Sequence, residues 1–499
     1  MLFRSWSDAA TLFTYKYDAT PPAAAPAVST TSNASGIIVN FTAGSDSGAN
    51  QSGLASAAYR VTRAAFGGFD SGPLASTAPA VDTEALTELA EGDVAAYTIK
   101  TCDAAGNEST STVTGRKRLA GTAWIYSTGA SSMAAPGLIP NAGSPATTGV
   151  FAGSNDYRLH GMDPGAGGML FGPVDTGALV QGTVLDRTAP IKDYAAYGLA
   201  NPMVFASSLD GNVYARKFAA SAWSEAWTRQ AVTAGYPVKV KPAGQLQVPL
   251  TAGPRSGQTR NLVVAGTYAN NLSNSFVAMD MEDGVVLWTT TPGNLAYVTG
   301  SPVISGTTAY FTSYSASGSP SVWAVNLTNG AVLWSRSGVG DISAAPAISG
   351  DGSVLYVGNN AGTMYAFSTA NGTSPALWTS ALADGPVYGA PWPFGGTLFV
   401  STRTRVHKLS AATGASDGTG WPVPVSRPSI PVVGASGKLY VGASGGNIYQ
   451  IDIYTGAAIA KSLGVAAGTI GDPVLGTDAP EMYVGAADGR IYKIALPFE

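Results

Sequence analysis

The stretch Phe276-Val-Ala-Met-Asp-Met-Glu-Asp-Gly-Val-Val-Leu-Trp288 is written a second time, with substitutions, as Val322-Trp-Ala-Val-Asn-Leu-Thr-Asn-Gly-Ala-Val-Leu-Trp334. In each copy alternating apolar positions give way to a polar turn, Glu282-Asp-Gly284 or Thr328-Asn-Gly330, and a second apolar run closes on tryptophan. That pattern predicts strand, tight turn, strand. A unit repeated about every 40 residues decides the fold class, because such a unit buries its apolar face only against its neighbours.

The repeat extends both ways. Turn glycines Gly284, Gly330, Gly372, Gly414 and Gly456 are spaced 46, 42, 42 and 42, and Trp288, Trp334, Trp378 and Trp421 keep a similar interval. The large residue before each turn recurs at Trp323, Tyr365, His407, Tyr449 and Tyr492. Upstream, Asn212-Val-Tyr-Ala215 and Arg158-Leu-His-Gly-Met-Asp163 fill the same slot. A proline opens each unit, at Pro136, Pro190, Pro249, Pro302, Pro346, Pro391, Pro431 and Pro473, which predicts eight units. Four short strands per unit predict a propeller blade. The last unit ends after Arg490-Ile-Tyr-Lys-Ile-Ala-Leu496 without a fourth strand, and Thr122-Ala-Trp-Ile-Tyr126 is a lone strand ahead of the first unit. Pairing the two closes the ring and removes two exposed edges.

Ala278, Asp280, Gly284 and Trp288, repeated as Ala324, Asn326, Gly330 and Trp334, resemble the tryptophan-docking motif of the quinoprotein-like (PQQ-like repeat) propellers. The resemblance covers residues 121–499. It implies an all-β, eight-bladed β-propeller closed by an N-terminal strand, each Trp covering about 150–250 Å² of the next blade and each Gly permitting positive φ. It does not specify chemistry, since a superfold hosts unrelated functions.

Ahead of the propeller, Asp18-Ala-Thr-Pro-Pro-Ala-Ala-Ala-Pro26 is a stiff segment. Short strands at Gly36–Phe41, Ala58–Thr62 and Ala95–Thr101, set between Gly/Ser/Asp-rich turns, predict a β-sandwich. Leu89-Ala-Glu-Gly-Asp93, Tyr97 and Asp103-Ala-Ala-Gly-Asn-Glu-Ser109 resemble a fibronectin type III domain. The resemblance implies that Tyr97 is the corner tyrosine whose hydroxyl ties a loop to the sandwich. The expected organisation is a truncated or disordered segment over 1–17, a sandwich over 18–116, a linker over 117–120 and the propeller over 121–499. Gly115-Arg-Lys-Arg118 reads as a solvated hinge, and Trp6–Tyr17 fits the last strand of a preceding copy. Cys102 reads as a small buried apolar side chain.

Composition excludes several classes. Charged residues are only 12% and glycines number 62, so turns should abound and helices be scarce. No run of 18 apolar residues spans a membrane, and a net charge of −4 supplies no basic face for nucleic acid. A single cysteine excludes an intramolecular disulfide, a Cys-based zinc site and a c-type haem. His160 and His407 sit at strand positions and read as packing residues. The first residues contain no apolar signal-peptide core, which is read as N-terminal truncation.

The quinoprotein resemblance raises a dehydrogenase holding pyrroloquinoline quinone over Ca²⁺, through a cysteine pair, a catalytic Asp and Ca²⁺-ligating carboxylates or amides. One cysteine cannot form that pair, and Asp280 and Asp452 fall in turns, where Asp serves local backbone N–H groups. No catalytic, cofactor-binding or metal residue, and no cofactor, is expected. The Gly-rich pieces Gly350-Asp-Gly352 and Gly445-Gly446 fall at blade turns and are not phosphate loops. The Asn-x-Ser/Thr triplets at Asn33, Asn40, Asn50, Asn271 and Asn326 are expected by chance at this Ser/Thr content. Tyr388-Gly-Ala-Pro-Trp392 places aromatics on a strand that is small and aliphatic in neighbouring units. Tyr388 and Trp392 are therefore candidate ligand contacts at the channel mouth, the alternative being the packing of one irregular blade.

The resulting expectation is a monomeric, non-catalytic protein of bacterial type, extracellular, at the cell surface or periplasmic. Its propeller would present loops to a protein or glycan partner, as in the outer-membrane assembly scaffolds that share the resemblance. The alternatives are the quinoprotein dehydrogenase and a purely structural spacer.

Overall fold

The computed structural model describes residues 20–498, apart from 26, 34, 47–52, 76–78, 90–92, 119–121, 141–146, 181–202, 220–221, 231–237, 268–275, 291–294, 296, 315–318, 435, 466–467 and 477–479. Among the described residues the one helix is Ala85–Glu88, and everything else regular is antiparallel strand. Trp6–Tyr17 and Pro190 lie outside the described residues.

The two quoted copies fold as predicted. Phe276–Asp280 pairs with Val286–Thr290, and Val322–Asn326 with Val332–Arg336, across turns closed by Gly284 and Gly330. The Asx residue at each turn accepts from the backbone two residues on: Asp280 Oδ1 from Glu282 N at 2.9 Å, Asn326 Oδ1 from Thr328 N at 2.8 Å.

Among the described residues, the strands after residue 121 form eight consecutive sheets, seven of four strands and one, Met203–Ser207 to Ala222–Gln230, of three. The predicted prolines precede the innermost strands at Gly137, Val303, Ala347, Trp392, Val432 and Val474. Pro249 is an exception: it ends the innermost strand Val238–Pro249 rather than opening one.

Each sheet packs on the next through its own apolar cluster. Phe205 and Val263 join the second and third sheets, Phe276 and Phe311 the third and fourth, Tyr310 and Leu355 the fourth and fifth. Further clusters continue around to Tyr440 and Tyr492, joining the seventh and eighth. Tyr483 and Ile491 of the eighth then pack with Val150 and Met162 of the first, so the series returns to its start. Successive innermost strands touch from the second sheet to the seventh, which turns the stacked sheets around a common centre.

Closure comes from strand Thr122–Ser127, which lies beside Arg490–Ala495 with Tyr126 opposite Ile491 and Trp124 opposite Lys493. The other edge of this strand is also occupied. Ala27–Asn33 of the N-terminal unit pairs with it, Thr31 opposite Tyr126 and Ser32 opposite Ile125. One seven-stranded sheet thus runs from the propeller into the N-terminal unit. Thr30 Oγ1 donates to Ser127 Oγ at 2.9 Å, Asn33 Nδ2 to Ala166 O at 3.1 Å, and Arg118 N to Ser32 Oγ at 2.6 Å. The expected solvated hinge at Gly115–Arg118 is therefore corrected: the units on either side are already bonded through a shared ladder.

The N-terminal unit stacks a three-stranded sheet (Ala27–Asn33, Gly36–Phe41, Ala80–Asp82) on a four-stranded one (Leu54–Arg63, Phe69–Asp70, Val94–Asp103, Glu108–Arg116) around Val39, Phe41, Val61 and Ile99. Tyr97 Oη donates to Asp82 Oδ2 at 2.7 Å, the same oxygen that accepts from the fully buried Arg63 Nε at 2.7 Å. Cys102 points the other way. Strand Val94–Asp103 alternates, with Tyr97, Ile99 and Thr101 inward, so Cys102 is only half-buried and its Sγ lies 3.7 Å from Glu108 Oε1, correcting its reading as a core residue.

Candidate functional site at the channel mouth

The loops that lead into the innermost strands are bonded to the hairpins between second and third strands, so both emerge on one face. Tyr388 N donates to Ser401 O at 3.2 Å, Arg427 N to Arg403 O at 2.9 Å, and Ala487 N to Thr469 O at 2.9 Å. Where the loops of the sixth, seventh, eighth and first sheets converge they form an open cavity of about 410 Å³, lined by Met133, Tyr388, Arg427, Ile430, Ile470 and Asp472 among others. The loops approach closely: a Cβ on Gly471 would lie 2.1 Å from Met133 O.

Two of the lining residues, Tyr388 at 43% exposure and Arg427, are exposed, and Arg403, whose carbonyl accepts from Arg427 N, is exposed in the adjoining hairpin. Arg427 holds φ +46° and Ala383, in the loop before Tyr388, φ +57°. Left-handed backbone at non-glycine residues persists only where surrounding structure enforces it, and the bond from Arg427 N to Arg403 O contributes to that. Asp472, the acidic group of the lining, is tied down, its Oδ1 accepting from Ile430 N at 2.8 Å. Behind the rim, Arg405 Nε lies 3.5 Å from Asp384 Oδ1, and the buried His407 Nε2 lies 2.9 Å from Asp384 Oδ2. Burial lowers the His407 pKa, outweighing the opposing pull of the carboxylate. His160 is fully buried between Asp156, 2.9 Å from its Nε2, and Tyr126.

The predicted aromatic pair is separated. Tyr388 lines the cavity, whereas Trp392 is half-buried against the apolar clusters on both sides of the seventh sheet. The docking set does come together. Trp288 Nε1 donates to Leu327 O at 2.9 Å above Gly330, and Trp334 Nε1 to Thr369 O at 3.1 Å above Gly372. Sequence reasoning missed two members, Trp227 above Gly284 and Trp124 above Gly167. It also missed Arg403 and Arg427; the signal was the doublet Arg403-Thr-Arg405 in a chain so poor in charge.

A quinone held over Ca²⁺ requires several hard oxygen ligands on the cation and stacking partners for the ring. The cavity lining offers the one carboxylate of Asp472, already bonded to Ile430 N, and Cys102 sits in the N-terminal unit. Among the described residues no three His, Cys, Asp or Glu side chains gather as metal ligands. The donor set does not fit that cofactor.

The family model for outer membrane protein assembly factor BamB, of PQQ-type repeats, matches residues 198–419. Solved structures with the same fold include BamB from Moraxella catarrhalis, at 15% identity over 72% of this chain and 96% of that one, with a TM-score of 0.51. Sqt1 from Saccharomyces cerevisiae aligns at 14% identity over 75% of this chain and 98% of that one, with a TM-score of 0.56. Sqt1 from Chaetomium thermophilum, solved bound to the N-terminus of the ribosomal protein L10, aligns at 14% identity over 73% and 97%, with a TM-score of 0.53. No curated protein matches the chain. The chain is an all-β protein with a propeller fold, and its residues 198–419 are similar to PQQ-type repeats. No helix among the described residues is long and apolar enough to cross a membrane.

Proposed function

We propose that this protein is a non-catalytic interaction scaffold. An eight-bladed propeller, fused to a fibronectin type III-like sandwich, binds a protein partner on its channel-mouth face. The carrying observation is the open cavity of about 410 Å³, set in loops fastened to rigid sheets and lined by the exposed Tyr388 and Arg427, with the exposed Arg403 in the adjoining hairpin. Eight sheets linked in a returning series of apolar clusters support the blade count. The three-on-four sandwich with Tyr97 bonded to Asp82 supports the fibronectin-like assignment, with boundaries at 18–116 and 121–499. A propeller solved bound to the terminus of another protein, as Sqt1 is with the N-terminus of L10, offers an analogy for the mode of use. The match to an outer-membrane assembly family favours a periplasmic, surface or extracellular setting. A glycan is the second partner class, and the protein acts as a monomer.

The test is affinity purification of the full chain from its host beside an Arg403→Glu/Arg427→Glu variant of equal thermal stability. A partner retained by the wild type and lost by the variant supports the reading. Equal recovery by both, or dye-linked alcohol or sugar oxidation after adding pyrroloquinoline quinone and Ca²⁺, overturns it.

A further inference from the structure

We propose that the channel-mouth cavity takes an acidic peptide segment of the partner, one apolar side chain entering the cavity while a neighbouring carboxylate pairs with Arg427 and Arg403. This rests on the interaction reading above and names the chemistry of what that face binds.

The argument begins with charge. The chain carries a net −4, and most arginines described elsewhere are matched to a carboxylate: Arg60 to Asp70, Arg63 to Asp82, Arg158 to Asp175, Arg255 to Asp280, Arg490 to Asp488. Arg403 and Arg427 are not. Both are exposed, their backbones are joined by a hydrogen bond, and among the described residues neither has an ion pair. The backbone bond sets two exposed arginines in adjoining loops, one of them on left-handed backbone. Each exposed guanidinium offers a planar fork of donors suited to a carboxylate. Arg405, the third arginine of this hairpin, is directed to Asp384.

The second element is shape. Below Arg427 the cavity presents Met133, Ile430 and Ile470, with Tyr388 standing at its lip. Its acidic member, Asp472, is held by Ile430 N, which donates to Oδ1 at 2.8 Å. A volume near 410 Å³ exceeds one side chain and admits a Leu, Phe or Met together with part of its backbone. Apolar anchor and charged rim are the usual division of labour at a protein interface, the anchor holding affinity and the rim setting partner choice.

The experiment is selection of a displayed random dodecapeptide library on the immobilised full chain. It is followed by fluorescence anisotropy of the enriched peptides at low and high salt with wild type, R403E, R427E and R427K. The expected result is enrichment of peptides with Asp or Glu within two positions of a Leu, Phe, Ile or Met. Their Kd should weaken about tenfold or more in R403E and R427E, stay within a few-fold in R427K, and weaken with salt. R403E guards against the case in which R427E disturbs its own strained loop. Enriched peptides without acidic bias, binding unchanged by both charge reversals, or no enrichment at all each overturn the proposal. The interaction reading is judged separately: a neutral or basic peptide that binds this face would leave it standing while sinking the acidic assignment.

Discussion

The indole of Trp288 lies on Gly330 of the next sheet, its Nε1 donating to Leu327 O at 2.9 Å, while a Cβ on Gly330 would sit 2.6 Å from Trp288 Cε3. Glycine is needed here twice over, because φ is also +73°. From the second sheet to the fifth, and at the closing strand through Trp124, a tryptophan reads the neighbouring sheet's turn, and there the repeat is a docking code between sheets. The sixth sheet departs from it: Trp421 Nε1 is buried without a hydrogen-bond partner among the described residues, and Gly420 meets Gly456 of the seventh backbone to backbone.

Gly330→Ala should destabilise the protein by about 2–4 kcal/mol, combining left-handed strain with overpacking. Gly306→Ala is the internal control. It has φ +54° but nothing within 4 Å of its Cβ, so it should cost only about 1–2 kcal/mol. Urea denaturation of the two variants checks this, and equal losses would show that the indole contributes nothing.

Strand Thr122–Ser127 should behave as core. Hydrogen exchange followed by mass spectrometry should find peptides over 122–127 as slow as those over 490–495, because both edges of the strand are paired. Exchange in seconds, as for a fraying strand, would show that the ring is not held shut there.

Alkaline pH should loosen the seam and the sandwich together. Burial, reinforced by Asp82 at Tyr97 and Asp488 at Tyr492, raises the pKa of both tyrosines, and burial raises that of Tyr126. Above the ordinary tyrosine pKa near 10, the unfolded chain has lost protons that the folded chain retains. Stability is thus complete below about pH 10 and falls above it, by up to about 1.4 kcal/mol per pH unit for each tyrosine. Tyr492→Phe should reduce that slope in denaturation curves recorded from pH 9 to 11.

Acid acts through His407. Its folded pKa lies below the ordinary value near 6.5 because the ring is buried. Below that value the unfolded chain binds a proton that the folded chain resists, so this contribution is present above about pH 6.5 and is lost as pH falls. His407→Gln should flatten the stability curve between pH 6.5 and 5, measured by chemical denaturation.

In the Arg63–Asp82–Tyr97 cluster, Tyr97→Phe should cost about 1.5–3 kcal/mol, the range for a hydrogen bond to a buried charge. Arg63→Met should cost more, about 3–5 kcal/mol, by leaving Asp82 an unpaired buried charge. A melting temperature unchanged in both variants would exclude the network as a support of the sandwich.

Much of the architecture was legible in the chain because it is local and repeated. The Asp280–Gly284 and Asn326–Gly330 turns, the strands on either side and the tryptophan interval follow from alternation and turn chemistry, which act over a few residues. The lone strand Thr122–Tyr126 and the short last unit pointed to each other because each left an edge without a partner. The functional face was less legible. Arg403 and Arg427 are 24 positions apart and belong to different sheets, and only the hydrogen bond between their loops makes them neighbours. Tyr388 and Trp392 are four positions apart, yet one lines the cavity and the other is packed between sheets. Likewise, nothing near Arg116 in sequence shows that Ala27–Asn33 would extend the closing sheet, since that pairing joins residues roughly a hundred positions apart. By itself, then, the sequence determined the unit, its turns and the need for closure, all set by short-range sterics and periodic burial. Which side chains share a cavity, which charges lack a counter-ion and how the sandwich is anchored were decided by tertiary structure, because they depend on distances that exist only after the ring has closed.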